Sequence, residues 1–400
     1  MKTALLIVER DFLDNHVGVR RVIIHYWRQL EQQGFRVTLA APFNGRLRVG
    51  RGPGVNDVAH LSDRAGSDSP DWVSGRSDLR PGKFDLAALL PRRGLKWSAE
   101  IAHIDDFDVS IVTNPWLCAA GLPPGRITAG IVYDMVPNLL ACGVLNLGQP
   151  MDIYEFARDH DIGYRLYLER AVEILCISES SRADFIRFYR LGAQDSARVR
   201  TLIPFAPADG LRIKSRPRAA AERPRVLLVN VLDPRKNFDG VRAALTLASR
   251  TMAFDVDVVG RERMALEPVM TFLGGLSGLG CNVTWYRNAS DLCLQRLYAD
   301  ADLLLFPSFY EGLGLPVLEA QNQGVPVVSS NTSSCVEVNM NPELCVDPLD
   351  HPQLASRVVG VLDGTTPHLS SAPLRDQLMI YLSERNFFHA RSPQPGTPLP

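Results

Sequence analysis

The chain has 400 residues, of which 46% are hydrophobic and 22% are charged. This is the profile of an ordinary globular protein rather than a disordered or fibrous one. Its 43 basic residues nearly balance its 44 acidic residues, so no overall charge draws the chain to nucleic acid, and no nucleic-acid partner is expected. Because one hydrophobic core seldom serves so many residues, the length predicts two domains.

The seven cysteines are widely spaced and form no C-x-x-C pair. The sequence therefore suggests neither a metal site nor a disulfide framework, and a reducing cytoplasm fits best. The N-terminal stretch MKTALLIVERD has an apolar run too short for a signal peptide. No apolar stretch approaches the roughly 18 residues that a membrane span needs. We expect a cytoplasmic protein, and leave open a peripheral contact with the inner face of the cell membrane.

Apolar runs of strand length alternate with helical periods through most of the chain. The first strand, TALLIVE, is followed by a helical period that stops at Gly34, and FRVTLAAP is the second strand. Such βαβ alternation predicts a parallel sheet with both faces covered. The further strands expected in the first half are FDVSIVTN, ITAGIVYDM, VEILCIS and RVRTLIPF, with helices over 152–172 and 179–190.

A polar stretch rich in Pro and Arg follows Phe205, and a second βα series begins after it. The predicted fold class is α/β, with two Rossmann-like domains joined by a linker. The predicted divisions are 1–205, with 44–96 as a loop excursion, then a linker over 206–223, a second domain over 224–388 and a Pro-rich tail over 389–400. The strands expected in the second half are PRVLLVNVL, FDVDVVGR, CNVTWYR, ADLLLFPS, VPVVSSN and ELCVDP, with helices near 238–250, 291–299 and 316–323.

The segment EGLGLPVLE follows the apolar strand ADLLLFPS. Open α/β sheets bind ligands at the carboxyl ends of their strands, so this turn is expected to face a ligand. Gly312 and Gly314 let the backbone approach closely, and Pro316 suits the first turn of a helix, whose free N–H groups favour an anion such as a diphosphate. Glu311 and Glu319 flank this anion site and are suited to accept hydrogen bonds from hydroxyls. Hydroxyls beside a diphosphate indicate a sugar nucleotide.

A second anion-binding element is the segment LDPRKN, which follows the first strand of the second half. Arg235, Lys236 and Asn237 open the next helix and are expected at the same strand ends. A fixed cation there would neutralise charge that develops on a departing diphosphate. Either element alone arises by chance in many chains, since PRKN is usually a solvated helix start. Their combination, each after a strand and in this order, is the stronger indication.

The second half, over about 224–348, resembles the donor-binding domain of the retaining GT-B glycosyltransferases of family 4, also called glycosyl transferases group 1. The segments EGLGLPVLE and LDPRKN carry the resemblance, with LQRLYADADLLLFPS and QGVPVVSSNTSSCVEV beside them. It implies a GT-B fold whose two parallel sheets face a donor cleft, a metal-independent reaction and retained anomeric configuration. Glu319 would hold the ribose, Glu311 the donor sugar and Lys236 the diphosphate, with Glu311 and Lys236 as the catalytic residues. The other donor-binding residues that it implies here are Arg235, Asn237, Gly312, Leu313, Gly314, Leu315 and Tyr286, the last within a nucleobase pocket near 285–288.

The first half resembles the acceptor-side domain of that family more loosely, over about 1–42 and 129–205. Gly18 matches a glycine loop that approaches the donor phosphate. Tyr133 and Asp134 match a motif in which a histidine precedes the aspartate, so a donor hydroxyl bound by Tyr133 and a merely packed tyrosine stay equally open. Ser178 and Arg182 are weaker candidates, because Ser178 also fits a helix N-cap.

Several positions depart from the family pattern. Val231 stands where many members carry a second phosphate-binding arginine, and Arg235 is close enough to substitute for it. The chain after the segment ERNFFHARS lacks the long final helix that returns to the first domain. A general base cannot be assigned, because His16, His25 and His103 are each lone histidines, which are more often structural.

The resulting hypothesis is a retaining hexosyltransferase of polysaccharide biosynthesis. The donor is a substrate rather than a cofactor, and a GDP-mannose-type donor is favoured over UDP-sugars. The expected acceptor is a glycan or a lipid-linked oligosaccharide. Arginine-rich stretches at 46–51 and 212–225 suggest weak docking to anionic membranes, or a solvated loop and linker. A sugar-nucleotide epimerase and a catalytically silent nucleotide-sugar-binding module are the alternatives.

Overall fold

The structure of the chain is a computed structural model that describes residues 1–12, 17–51, 70–73, 96–145, 153–205 and 222–385. It contains two compact units. The first comprises residues 1–60, 91–206 and 382–400, and the second comprises 61–90 and 207–381. Each unit has an α/β architecture with its own sheet and its own hydrophobic core, as the alternation of apolar runs and helical periods predicts.

The first unit is built on an eight-stranded sheet in the order β5-β3-β2-β1-β6-β7-β8-β9. Its strands are β1 (Thr3–Ile7), β2 (Arg36–Phe43), β3 (Arg46–Arg51), β5 (Lys96–Ala102), β6 (Val109–Val112), β7 (Ile127–Val132), β8 (Ala171–Cys176) and β9 (Val199–Thr201). Its helices are α1 (Val17–Gln32), α2 (Trp116–Ala119), α3 (Val136–Ala141), α4 (Ile153–Arg170), α5 (Glu179–Tyr189) and α6 (Ala193–Ala197). The pairs from β2 through β1 to β9 are parallel, whereas β3 pairs antiparallel with both of its neighbours.

The second unit is built on a seven-stranded sheet in the order β15-β14-β13-β10-β11-β12-β4. Its strands are β4 (Trp72–Val73), β10 (Arg225–Val229), β11 (Asp255–Val259), β12 (Val283–Tyr286), β13 (Leu303–Phe306), β14 (Val327–Ser330) and β15 (Cys345–Val346). Its helices are α7 (Phe238–Ala248), α8 (Leu266–Gly278), α9 (Asp291–Asp300), α10 (Leu315–Asn322), α11 (Cys335–Val338), α12 (His351–Leu362) and α13 (Ser371–Ser383). All pairs are parallel except that between β12 and β4.

The strand order of the second unit fixes where a ligand can bind. From β10 the chain moves outward to β11 and β12, and then returns to the other side of β10 to form β13, β14 and β15. The direction of winding therefore reverses between β10 and β13. In open α/β sheets this reversal leaves a crevice at the carboxyl ends of the two strands, and ligands bind there.

Three features of the fold differ from the sequence prediction. The stretch 44–96, expected to be a loop, supplies β3 and the beginning of β5 to the first sheet, because the turn at Asn44 and Gly45 lets the chain fold back on β2. The same stretch supplies β4 to the second sheet, so it does not belong to the first domain alone. The predicted second domain over 224–388 extends too far, because the first unit resumes at Leu382, and the backbone N–H of Ile203 donates to the carbonyl of Arg385 over 3.0 Å.

The C-terminal region also carries a helix that the sequence did not indicate. Helix α13 extends over 13 residues and ends just where the chain re-enters the first unit. Its Leu374, Leu378 and Leu382 are buried, at four-residue steps that place them on one helix face. Helix α13 lies before the segment ERNFFHARS, and the chain after Arg385 lies outside the described residues, so the expected absence of a long final helix after that segment stays a prediction. The Pro-rich tail over 389–400 lies outside the described residues.

Helix α4 packs tightly against the chain that follows β6, and a glycine makes this contact possible. A Cβ atom on Gly163 would meet the carbonyl oxygen of Pro115 at 2.1 Å. We expect Gly163→Ala to lower the free energy of unfolding by about 2 kcal/mol, since an overpacked methyl group must displace the backbone. Gly275→Ala in α8 is the control, because no atom lies within 4 Å of its Cβ. Denaturant unfolding should show a lower free energy of unfolding for Gly163→Ala but not for Gly275→Ala. Equal stability of the two variants would contradict this packing.

Candidate active site

The candidate site of the second unit lies at the crevice between β10 and β13. The loop after β10 carries Lys236, and the loop after β13 carries Glu311. The Nζ atom of Lys236 donates a hydrogen bond to Oε1 of Glu311, and the two groups form an ion pair. Both side chains are about nine-tenths buried, with 11% and 9% of their surface exposed. Two residues predicted separately from the sequence are thus brought into direct contact.

The loop that carries Lys236 is shaped by its own polar side chains. Residues Pro234–Lys236 form a 3-10 turn, and the carboxylate of Asp233 accepts a hydrogen bond from the backbone N–H of Arg235 over 2.9 Å. The carbonyl of Arg235 in turn accepts from the backbone N–H of Phe309 over 3.1 Å. The two loops are therefore joined through their backbones as well as through the ion pair.

Asn237 ties the same loop to two further strand ends. Its backbone has a φ of 60°, in the left-handed region, and its side-chain oxygen accepts from the N–H of Gly240 over 3.0 Å as the N-cap of α7. Its side-chain nitrogen donates to the carbonyls of Pro307, over 3.1 Å, and Pro348, over 2.7 Å. The predicted donor-binding role of Asn237 is therefore better described as structural, because the amide is 3% exposed and its hydrogen bonds go to protein groups.

Two serines that the sequence reading did not single out hold Glu311. The backbone N–H of Glu311 donates to Oγ of Ser333 over 2.9 Å, and Oγ of Ser334 donates to the carbonyl of Glu311 over 3.0 Å. Ser333 has a φ of 48°, an unusual conformation for a residue with a side chain. In the sequence, only the run of hydroxyl residues in the segment VVSSNTSSCVEV points to these two serines.

The electrostatics of the pair favour an ionised carboxylate. Burial by itself would raise the pKa of Glu311, but the positive charges of Lys236 and Arg235 outweigh it and hold that pKa below its ordinary value of 4.5. Burial lowers the pKa of Lys236 from its ordinary value of 10.5, against the opposing attraction of Glu311. Burial removes the water that would otherwise stabilise the charged ammonium of Lys236, and an anion close to Lys236 would replace part of that stabilisation. The site is therefore electrostatically suited to a phosphate.

The amino end of α10 supplies the second anion-binding element. Gly314 precedes the helix with a φ of 85°, which L-residues rarely adopt, and Pro316 is the second residue of the helix. Within the described residues, the backbone N–H groups of Leu313, Gly314 and Leu315 have no hydrogen-bond acceptor. Free N–H groups at a helix start attract anions. Gly312 does not have a positive φ, so a need for glycine is shown only at Gly314.

Glu319 lies on α10, on the side that faces α9. The hydroxyl of Tyr298, on α9, donates to Oε2 of Glu319 over 2.9 Å. The sequence reading did not select Tyr298, and nothing in its local pattern distinguishes it from a core tyrosine. This contact orients the carboxylate that was predicted to bind a ribose.

The predicted nucleobase pocket over 285–288 is only partly supported by the side-chain positions. Trp285 is fully buried in the core, and its Nε1 donates to the carbonyl of Gly260 over 2.9 Å, so it is not available to line a pocket. A strand residue must alternate between the two faces of its sheet, and Tyr286 accordingly faces away from Trp285 and is half-buried. Val231, the departure from the family pattern, is buried in the same core.

The candidate residues of the first half lie in the first unit. Gly18 is the second residue of α1. The hydroxyl of Tyr133 is buried and has no hydrogen-bond partner among the described residues, and burial raises its pKa well above the ordinary value. Asp134 Oδ1 accepts from the backbone N–H of Val136 over 2.9 Å. Ser178 caps α5 by accepting from the N–H of Ser181, which agrees with the structural alternative.

The remaining candidates of the first half have structural surroundings or lie outside the described residues. Arg182 donates from Nε to the carbonyl of Val199 over 2.8 Å. His25 is buried in α1 and shares a hydrogen bond with the side chain of Gln29 over 2.9 Å. His103 precedes the 3-10 turn Ile104–Asp106, and His16 is not among the residues that the structure describes. None of these observations identifies a general base.

Comparison with known proteins supports a family for the second unit. Residues 212–372 match the family model described as glycosyl transferases group 1. O-antigen chain mannosyltransferase B of Escherichia coli is 31% identical over 165 residues, which cover 39% of this chain and 42% of that relative. The match therefore spans less than half the length of this curated relative.

Two solved structures share the fold of the chain over nearly its whole length. Sucrose-phosphate synthase from Thermosynechococcus elongatus has a TM-score of 0.58 at 16% identity and covers 96% of this chain and 95% of its own. HepE of Anabaena, solved in complex with UDP-glucose, has a TM-score of 0.56 at 13% identity, and the match covers 96% of this chain and 95% of HepE. The fold is therefore GT-B, as predicted. The family match itself covers residues 212–372 of the 400 and shows a similarity of the second unit to glycosyl transferases group 1.

No helix among the residues that the structure describes is long and apolar enough to cross a membrane. Strand β3 carries three exposed arginines, Arg46, Arg48 and Arg51, and Arg51 pairs with Glu100. Residues 212–221 lie outside the described ranges. Docking to an anionic membrane through these arginines stays a prediction.

The buried ion pair generates a prediction for stability. Lys236→Met would leave Glu311 buried without its partner, which should lower the free energy of unfolding by about 3 kcal/mol at pH 7. Arg242→Met is the control, because Arg242 is about half exposed and pairs with Asp239 on the surface over 3.2 Å. Arg242→Met should lower the free energy of unfolding by less than about 1 kcal/mol.

The same variant should respond to pH in a defined direction. In the unchanged chain the lowered pKa of Glu311 stabilises the fold above pH 4.5 and ceases to do so as the pH falls through that lowered pKa. Without Lys236, burial raises the pKa of Glu311, so Glu311 takes up a proton more readily as the pH falls, and the cost of its buried charge is removed. The difference in unfolding free energy between the unchanged chain and Lys236→Met should therefore be smaller at pH 5 than at pH 7. A constant difference would show that the charge of Glu311 does not cause the loss.

Proposed function

We propose that the chain is a retaining, metal-independent glycosyltransferase that transfers mannose from GDP-mannose to a glycan or lipid-linked oligosaccharide in polysaccharide biosynthesis. The observation that carries this proposal is the buried contact of Lys236 with Glu311 at the crevice between β10 and β13. A cation and a carboxylate are in contact there, and the loop that carries the carboxylate continues into the free N–H groups at the start of α10. Few ligands other than a sugar joined to a diphosphate would use all three.

The chemistry follows from the leaving group. As the glycosidic bond breaks, negative charge builds on the diphosphate, and Lys236 together with the N–H groups of Leu313, Gly314 and Leu315 stabilises it. Positive charge develops at the anomeric carbon, where the carboxylate of Glu311 offers a counter-charge and accepts hydrogen bonds from sugar hydroxyls. The acceptor attacks on the same face, and the departing phosphate oxygen takes its proton.

The choice of mannose rests on relatives rather than on geometry. The matched relative from Escherichia coli is named as a mannosyltransferase of the O-antigen chain. The sequence variants YDMVP and PRKN also favour a GDP-mannose-type donor. UDP-sugars are the next donors to test, and a glycan end is the first acceptor.

The proposal is tested by incubating the purified chain with GDP-mannose and candidate acceptors and following GDP release and the anomeric configuration of the product by NMR. We expect turnover with retention. An inverted product would overturn the retaining mechanism. Isomerisation of the nucleotide sugar without acceptor would indicate an epimerase, whereas binding without hydrolysis or transfer would indicate a silent module.

Lys236 and its neighbour provide matched variants for the diphosphate. Lys236→Ala should lose far more donor-dependent activity than Arg235→Ala, because the family resemblance assigns Lys236 to the diphosphate and Lys236 is paired with Glu311 in the buried site. The loss is measured by steady-state kinetics on folded protein, checked by circular dichroism. Equal and minor losses in the two variants would remove Lys236 from the diphosphate site.

The two glutamates should differ in the kinetic parameter that they control. If Glu319 holds the ribose, its contacts are similar in the ground and transition states, so Glu319→Gln should chiefly raise KM. Glu311 lies on the sugar side, so Glu311→Gln should lower kcat by roughly 10 to 1,000-fold while donor affinity survives. Calorimetric donor affinity beside steady-state kinetics separates the two. The reverse pattern would mean that the roles are exchanged, and no effect of either change would overturn the glycosyltransferase assignment.

A further inference from the structure

A short strand from the first half of the chain completes the second sheet. Trp72 and Val73 form β4, which pairs antiparallel with β12 through Trp285 and Thr284. Trp72 is 6% exposed and belongs to the hydrophobic core of the second unit. The backbone N–H of Asp71 extends the pairing by donating to the carbonyl of Trp285 over 2.8 Å. The residues around β4 thus act as part of a domain that begins more than 130 residues later.

Asp71 makes a second contact that β-pairing does not require. Its carboxylate Oδ2 accepts a hydrogen bond from the backbone N–H of Arg287 over 2.8 Å, and Asp71 is 5% exposed. The guanidinium of Arg287 forms two hydrogen bonds with the carboxylate of Glu262, one of them over 3.1 Å. Arg287 is therefore held through its backbone by Asp71 and through its side chain by Glu262.

The loop that begins at Arg287 has a defined place in the candidate site. It follows the carboxyl end of β12, at the edge of the sheet where Lys236 and Glu311 also lie. It leads directly into α9, which begins at Asp291 and carries Tyr298, the residue that holds Glu319. The loop and Tyr298 lie about 10 Å apart along the helix axis, from its rise of about 1.5 Å per residue.

This placement orders the parts of a bound nucleotide. The diphosphate is assigned to Lys236 and the amino end of α10, and the ribose to Glu319. In a nucleotide the base is attached to the ribose on the side opposite the diphosphate. The hydrogen bond of Tyr298 to Glu319 joins α10 to α9, and α9 follows the loop at 287–289, where Arg261 Nε donates to the side-chain oxygen of Asn288 over 2.5 Å.

We propose that Asp71 is a positioning residue for the nucleobase end of the donor site, because it fixes the backbone at Arg287 and so sets the loop at 287–289 against the base. The inference rests on the proposed function, and it assigns a role in donor binding to the inserted stretch that supplies β4. Asp71 does not touch the nucleotide in this arrangement. It acts through the loop.

The test compares Asp71→Ala with Asp71→Asn. The alanine variant loses the acceptor for the N–H of Arg287, whereas the amide oxygen of asparagine keeps it. Asp363→Ala is the matched control, because Asp363 also accepts a backbone N–H, that of Thr365, over 2.9 Å, but lies after α12 on the surface. GDP and UDP are titrated calorimetrically into each variant, and KM and kcat are measured with the donor that turns over.

We expect Asp71→Ala to weaken the affinity for the preferred nucleotide at least tenfold and to raise KM by a similar factor, with kcat within threefold of the unchanged chain. Asp71→Asn and Asp363→Ala should keep the original affinity within threefold. Calorimetry separates affinity from the fraction of active protein. A variant that is merely unstable would show reduced stoichiometry with unchanged affinity, and that result would overturn the positioning role.

Two further outcomes have distinct meanings. If Asp71→Ala binds nucleotide with full stoichiometry and unchanged affinity, the inference is wrong while the proposed function stands. If the unchanged chain binds neither GDP nor UDP, the proposed function is overturned, and the inference falls with it because no base is bound.

Discussion

The ion pair between Lys236 and Glu311 is the contact on which the ligand-binding edge of the second unit depends. Two opposite charges withdrawn from water are tolerated only when each has the other as a partner. The polar groups around them serve this requirement, since Asn237 fixes one loop while Ser333 and Ser334 fix the other. The same pairing keeps both charges present and correctly placed for an anionic ligand.

The reversal of strand order explains why these groups meet. Lys236 and Glu311 are 75 residues apart in sequence, yet β10 and β13 are neighbours, so their loops emerge side by side. The free N–H groups before α10 are directed to the same edge. The proposed binding site for a phosphorylated ligand would therefore arise mainly from backbone topology, and only a few side chains need to be specified within it.

The sequence predicted those parts of the fold and of the candidate site that a local residue pattern encodes. Apolar runs indicated the central strands β10 and β13, and the motifs around Lys236 and Glu311 indicated the two loops that the structure brings into contact. It did not reveal β4, because two residues carry no period and their partner strand lies over 200 residues away. Helix α8 was missed because Gly274, Gly275 and Gly278 lower its helix propensity. The contacts of Tyr298 and Ser333 depend on tertiary packing, which no local pattern reports.

Strand β4 has a consequence for how the molecule can be divided. A fragment that begins at the unit boundary at residue 207 would leave β12 as an edge strand, because β4, which pairs with it, would be missing. It would also leave an empty place in the core where the indole of Trp72 packs. Exposed strand edges invite pairing with other chains. The second unit is thus continuous in space but not in sequence, and a faithful fragment would have to carry residues around 70–73 on a linker.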